Sequence, residues 1–146
     1  MSKISFKSHL YNKFLGFLNK KGGKIKAKKI LSESFLILSK RTGLSVRLIL
    51  LKIFLKLNTF VEVKRIRVRK RVTLVPFYIK YNRRLYLVVK WIMMAVKEDT
   101  RRIPIINKFS NEVLQLLSNK SSKALKFKEN NVSQVLLNRS NMHFRW

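Results

Sequence analysis

The sequence predicts a mainly α fold: a six-helix bundle with a protruding two-stranded β-ribbon between helices 3 and 4. Three observations predict it. Apolar residues recur at helical spacing along most of the chain. Residues 60–80 break that period with two runs of β-branched and aromatic residues. The tract from about Asn82 to Lys97 then becomes apolar nearly all round, which suits a helix in the middle of a bundle.

The first helix is expected over about residues 5–19, with Phe6, Leu10, Phe14, Phe17 and Leu18 on one face. Lys20-Lys21-Gly22-Gly23 breaks it. The second runs over about 24–41, turning Ala27, Ile30, Leu31, Phe35 and Leu38 inward, and Thr42-Gly43 supplies C-cap chemistry. Ser45 can cap a third helix to about Leu57, on which Ser45, Lys52 and Lys56 share a face; in a chain with 34 Lys and Arg against 6 Asp and Glu, that face is expected to touch RNA. The ribbon's first strand reads Phe60 to Val68. It turns through Arg69-Lys70-Arg71 and returns from Val72 to Lys80. Pro76 has no N–H to give a ladder, so its strand must be an edge, as every strand of a two-stranded ribbon is.

The fourth helix keeps one polar line, Arg83, Lys90 and Lys97, spaced seven apart and so on one face. Trp91 lies on its apolar side. Pro104 suits the first turn of a fifth helix carrying Ile106, Phe109, Val113, Leu116 and Leu117. Ser121 or Ser122 can cap a sixth to about Asn138, with Leu125, Val132, Val135 and Leu136 inward. No linker, repeat or low-complexity segment divides the chain, so residues 1–146 are expected to form one domain with the arm inserted at about 60–80.

Charge is the outlier. There are 34 Lys and Arg against 6 Asp and Glu, a net charge of +28. Self-repulsion at that level works against a compact state unless a partner dense in phosphates supplies counter-charge. The basic residues are spread through the chain rather than kept to a tail, which points to nucleic acid over several faces. There is no cysteine, hence no disulfide framework and no thiolate metal site. His9 and His143 lie near opposite ends and read as packing or RNA-contact residues. No carboxylate pair and no Gly-rich phosphate loop is present; Glu98-Asp99 sits beside Arg101-Arg102. No enzyme, cofactor, metal or small-molecule substrate is expected. The longest apolar tract, Leu44 to Leu57, is interrupted by Arg47, Lys52 and Lys56 and is too short to span a bilayer. The N-terminus is not a secretory signal, and its residues 6–18 fit the domain better than a presequence.

Several stretches, in order, resemble the bacterial-type family of ribosomal protein seven of the small subunit. They are Lys13-Phe14; Gly22 with Lys24; Arg41-Thr42-Gly43; Val61-Glu62-Val63-Lys64 with Arg67-Val68; and Val75-Pro76. Arg83-Arg84, Trp91-Ile92 and Ala95 follow, with Lys90 where the family has Arg, then Asn111-Glu112 and the terminal His143-Phe144-Arg145-Trp146. Each motif is weak alone; their joint order and spacing over nearly the whole chain is strong. Two departures stand out: Arg69-Lys70-Arg71 replaces a glycine-rich arm tip, and the family's basic N-terminal tail is mostly missing.

The resemblance implies a structural constituent of the small ribosomal subunit. It implies binding to the 3′ major (head) domain of small-subunit ribosomal RNA, a part in nucleating head assembly, and a place near exit-site tRNA and the mRNA exit channel. Other head proteins are expected as partners, and no membrane. The residues expected to touch RNA are Lys24, Lys26, Lys28, Lys29, Lys64, Arg65, Arg67, Arg69, Lys70, Arg71, Arg83, Arg84, Lys90 and Arg145. Those on or beside helices should carry most affinity, because rigid cations can match a fixed phosphate pattern. Arg69, Lys70 and Arg71, at the end of a free ribbon roughly 25 Å long, should yield less. The competing readings are a cationic amphipathic membrane-surface protein and an architectural DNA-binding protein. Only three alanines, four glycines and two prolines occur, while Lys, Asn, Ile and Phe abound, as in an AT-rich gene. This fits an organelle-encoded protein of a mitochondrial ribosome, with a plastid as the alternative.

Overall fold

The computed structural model describes residues 3–19, 21–68, 70–118 and 120–144, and the side chains of 3–8 and of Val68 are not among what it describes. The side chain of Phe6, and residues Arg69, Arg145 and Trp146, therefore lie outside the described set. The elements are α1 (Lys3–Leu18), α2 (Lys24–Thr42), α3 (Val46–Leu57), β1 (Val61–Val68), β2 (Arg71–Tyr78), α4 (Tyr81–Lys97), α5 (Ile105–Leu117), α6 (Lys123–Leu137) and a 3-10 helix at Arg139–Phe144.

Local chemistry sets most of the boundaries. Gly43 stops α2 at φ 66°, a left-handed conformation that costs glycine little, and its N–H donates to the Ser39 carbonyl. Ser122 caps α6: its Oγ accepts from the Leu125 N–H at 3.1 Å. The Glu112 carboxylate of α5 accepts from the next free donor, the Ala124 N–H, at 2.9 Å. Two orphan amides of α6 are thus satisfied, one locally and one across the bundle. Ser45 holds the cap position of α3 with extended backbone but makes no side-chain bond to the helix. Pro104 occupies the cap position of α5, one residue earlier than the first turn expected for it.

The core forms around α4, whose Leu85, Val88, Val89 and Ile92 are fully buried. Trp91 is buried too, at 6% exposure. Beside α4, Phe14 of α1, Phe35 of α2 and Phe109 of α5 meet edge to face, with Phe14 and Phe109 ring centroids 5.6 Å apart and Phe35 and Phe109 5.8 Å apart. The polar line on α4 is as the spacing demands: Arg83 and Lys97 are exposed and Lys90 half-buried.

The phase of α6 differs from expectation. Val132 and Leu136, expected inward, are 42% and 61% exposed, while Leu125 and Val135 are half-buried and Ala124 fully so. The reason is polar. The face of α6 that meets its neighbours presents Lys128, whose Nζ donates to the Lys56 carbonyl at 2.6 Å, and Asn131, whose Nδ2 donates to the Val61 carbonyl at 3.0 Å. Hydrogen bonds to open carbonyls, rather than apolar residues alone, fix the rotation of this helix.

The ribbon pairs in the register Val61↔Tyr78 through Val68↔Arg71, so Arg71, expected in the turn, already belongs to the return strand. The Ile79 N–H donates to the Phe60 carbonyl at 2.9 Å, extending the ladder by one pair. Alternation in an antiparallel ladder then makes Val63↔Pro76 a non-hydrogen-bonded pair. Pro76 therefore forfeits no ladder bond, which is how a proline sits inside an eight-residue strand. Outward carbonyls of both strands are taken up by the C-terminal segment: Asn131 reaches Val61, and Asn141 of the 3-10 helix donates to Leu74 at 3.0 Å. The ribbon is braced on its β1 edge at the first pair, Val61↔Tyr78, and on its β2 edge at the fifth, Arg65↔Leu74, and is not the free arm the sequence suggested.

Candidate nucleic-acid interface

A chain at +28 has more cations than a surface can place apart, and the fold absorbs several. Lys56 Nζ donates to the Leu116 and Leu117 carbonyls at the end of α5, at 2.7 and 2.8 Å. Lys128 does the same for α3, and Lys108 and Lys123 donate to the Asp99 and Glu98 carbonyls just past α4. Helix C-termini carry partial negative charge and unsatisfied carbonyls, so these lysines act as tertiary caps. Burial, with the Lys52 charge beside it, lowers the Lys56 pKa below the ordinary lysine value. Lys56, expected on an RNA-facing surface, is held by α5 instead. Arg101 grips Asp99 through Nε at 2.9 Å and Nη2 at 2.6 Å, holding that carboxyl well below the usual carboxylate range.

A second group of cations stays outward. Lys24, Lys26, Lys28 and Lys29 are exposed on the opening turns of α2, and their side chains make no hydrogen bond or ion pair among the described residues. The same holds for Arg65, Arg67, Lys70 and Arg71 along and at the tip of the ribbon, and for half-buried Lys90. Lys64 lies over the Phe77 ring at 5.2 Å. Arg83 is different: its Nε and Nη2 form a two-pronged bridge to Glu62 at 2.9 and 2.8 Å, tying the ribbon base to α4, and the hydrogen bond raises its pKa further. The guanidinium also lies over Tyr86 at 4.9 Å. Arg84 stacks between Phe60 at 4.9 Å and Tyr81 at 5.8 Å.

Arg83, Arg84 and Lys64 lie at one end of the bundle, at the ribbon base. Phe17, near the end of α1, packs on Tyr86 in the second turn of α4, with centroids 5.2 Å apart. The short Lys21-Gly22 turn then starts α2 at that same end, carrying the four lysines with it. An open cleft lined by Asn12, Lys13, Gly16, Phe17 and Tyr86 adjoins, through the Arg83–Tyr86 stack, a second lined by Glu62, Lys64, Tyr78, Ile79, Lys80 and Arg83. The result is a cationic groove with an aromatic floor. Of the residues expected from sequence, Arg83 and Lys64 lie in the groove and Arg84 beside it. Lys13, Lys80, Tyr78 and Tyr86 belong to it too, and helical spacing alone did not single them out. Tyr86 was findable, being three residues after Arg83 on the same helix face.

His9 is exposed, and the His143 ring packs on Phe144 at 3.9 Å. Among the described residues no three of His, Cys, Asp or Glu group to hold a metal, and no helix is long and apolar enough to cross a membrane.

The fold and its charge define a strongly basic helical bundle carrying a β-ribbon arm. Comparison with known proteins places it within that class. The family model for ribosomal protein S7p/S5e matches residues 1–135. The chain is 28% identical over 141 residues to small ribosomal subunit protein uS7 of Desulfatibacillum aliphaticivorans, covering 97% of this chain and 89% of the relative. It is 27% identical over 141 residues to uS7m of Reclinomonas americana, covering 97% and 87%. It is 27% identical over 146 residues to uS7 of Buchnera aphidicola, covering 100% and 92%. The chain belongs to the ribosomal protein S7p/S5e family. Membership makes it a structural component of the small ribosomal subunit that binds small-subunit RNA and neighbouring ribosomal proteins, in a family of structural rather than catalytic proteins.

Proposed function

We propose that residues 1–146 act as one unit that anchors on the 3′ major domain of small-subunit ribosomal RNA and nucleates assembly of the head. The observation that carries this reading is the groove at the α1–α2–α4 end. Cations backed by a rigid core line it, and aromatic rings floor it, which suits a phosphate backbone with unpaired bases. The helix-borne set is Lys24, Lys26, Lys28, Lys29, Arg83, Arg84 and Lys90. The ribbon adds Lys64, Arg65, Arg67, Arg69, Lys70 and Arg71, and Arg145 adds one more near the C-terminus. The ribbon tip reaches toward exit-site tRNA and the mRNA exit channel. The particle is a mitochondrial ribosome, supported by the uS7m relative and by the AT-type composition, with a plastid ribosome as the alternative.

One observation favours a second reading. Leu48, Leu51 and Leu55 form an exposed apolar line on α3, with Arg47 and Lys52 nearby, as on helices that lie on anionic lipid. Binding measured in parallel to a transcript of the 3′ major domain, to anionic vesicles and to duplex DNA decides between the readings. The transcript should win by at least tenfold at equal salt. Equal or tighter binding to vesicles or to duplex DNA overturns the proposal.

A further inference from the structure

The junction where α3 ends and the ribbon begins contains a small unfinished site. Arg84 follows Tyr81 by three residues on α4, so helix geometry lays its guanidinium along that ring, 5.8 Å from the centroid. Phe60 covers the other side at 4.9 Å. Phe60 is not a loose loop residue, because its carbonyl accepts from the Ile79 N–H and it forms the last rung of the ladder. The residue is nevertheless 55% exposed. A large aromatic held rigid on one side by a stacked guanidinium, and open on the other, is a platform without an occupant.

The polar atoms around it point the same way. Among the described residues, the buried side-chain nitrogens and oxygens that lack a hydrogen-bond partner are Asn58 Oδ1, Thr59 Oγ1 and Arg84 Nε. All three belong to this one junction. Buried polar groups are normally paired, so a cluster of exceptions marks this junction as locally incomplete beneath the exposed Phe60.

We infer that Phe60 and Arg84 form a docking site for one unpaired nucleotide of the ribosomal RNA. This rests on the reading of the chain as an RNA-anchored protein. The base stacks on the open face of Phe60, since every base offers a π-face and stacking on an aromatic needs no particular sequence. Arg84, clamped between two rings, turns its terminal amino groups to the adjoining phosphate, where a planar fork fits better than an ammonium. The site differs from the rest of the interface in kind: its Phe60 half contributes affinity without charge.

That difference makes the test. The full-length chain is titrated with a transcript of the 3′ major domain over a range of salt, and the dependence of log affinity on log salt is compared between variants. Phe60→Ala and the bulk-preserving Phe60→Leu should each weaken binding roughly 5- to 150-fold, the range for losing one stacked base, at unchanged salt slope. Arg84→Gln should lower the slope by about one. Phe60→Trp should restore affinity and show an added fluorescence quench when RNA binds, which a purely structural role for Phe60 would not produce. If the native chain binds the transcript but both Phe60→Ala and Phe60→Leu stay within about twofold of it, the stacking site is wrong while the RNA reading stands. If the native chain does not bind the transcript, the RNA reading itself falls, and this site with it.

Discussion

At the scale of single residues, the molecule separates side chains that hold the fold from those left for a partner. Trp91 belongs to the first kind. It is buried among the α4 core residues, and truncating a buried aromatic costs about 3–5 kcal/mol. Trp91→Ala should therefore melt well below the native chain in a thermal scan, and an unchanged melting temperature would contradict the core assignment. Asp99 also serves the fold. Arg101 depresses its pKa, so its contribution is complete above the unfolded carboxylate value and disappears as pH falls through the depressed one. Asp99→Asn should flatten the stability–pH curve on the acid side, read by denaturant titration between about pH 2 and 5. A variant curve parallel to the native one would rule this out. Both assignments were readable early: Trp91 from helix phase, and the Asp99–Arg101 pair from their nearness in sequence. The roles of Lys56, Lys108, Lys123 and Lys128 were not. A lysine in a sequence looks the same whether it meets phosphate or open carbonyls at a helix end up to 72 residues away, and only tertiary placement decides.

At the scale of elements, the ribbon changes most between sequence and structure. Its register, its turn and the tolerance of Pro76 follow from two β-type runs and ladder alternation. Its bracing does not. Asn131 and Asn141 are ordinary polar residues on a helix and a C-terminal turn, and nothing local says that their amides seek strand carbonyls. The same holds for α6: apolar periodicity alone turns Val132 and Leu136 inward, whereas the bonds of Lys128 and Asn131 to open carbonyls rotate both outward. Bracing as far as the fifth pair on the β2 edge shortens the unbraced part of the ladder to three pairs, so the tip gives up less entropy on docking than a free arm would. Changing Arg69, Lys70 and Arg71 together to Ala should weaken RNA affinity yet still permit entry into the small subunit, with altered exit-site tRNA retention. Changing Arg83, Arg84 and Lys90 together should block head assembly. The second set does more damage because losing Arg83 also leaves Glu62 unpaired and unties the ribbon base from α4. Sedimentation of assembled particles separates the outcomes. A tip variant that fails to assemble beside a helix variant that incorporates normally would make the arm the primary anchor.

At the scale of the whole molecule, the fold solves a charge problem in two ways. Some cations are turned onto helix ends and onto its few carboxylates; the rest are gathered along the ribbon and at one end of the bundle. Composition alone made a polyanionic partner legible, and order and spacing of short motifs made the family legible. The groove itself required the packing of Phe17 on Tyr86, which brings the ends of two helices together. The central claim is that this end of the bundle, and not diffuse charge, grips ribosomal RNA. The most direct measurement is the salt dependence of binding to a 3′ major domain transcript for the native chain and for Lys24, Lys26, Lys28 and Lys29 changed together to Gln. Each lost phosphate contact should lower the slope of log affinity against log salt by about 0.7–0.9, so a variant slope lower by roughly two to three is predicted. A variant with the native slope, and affinity within about twofold, would contradict the account.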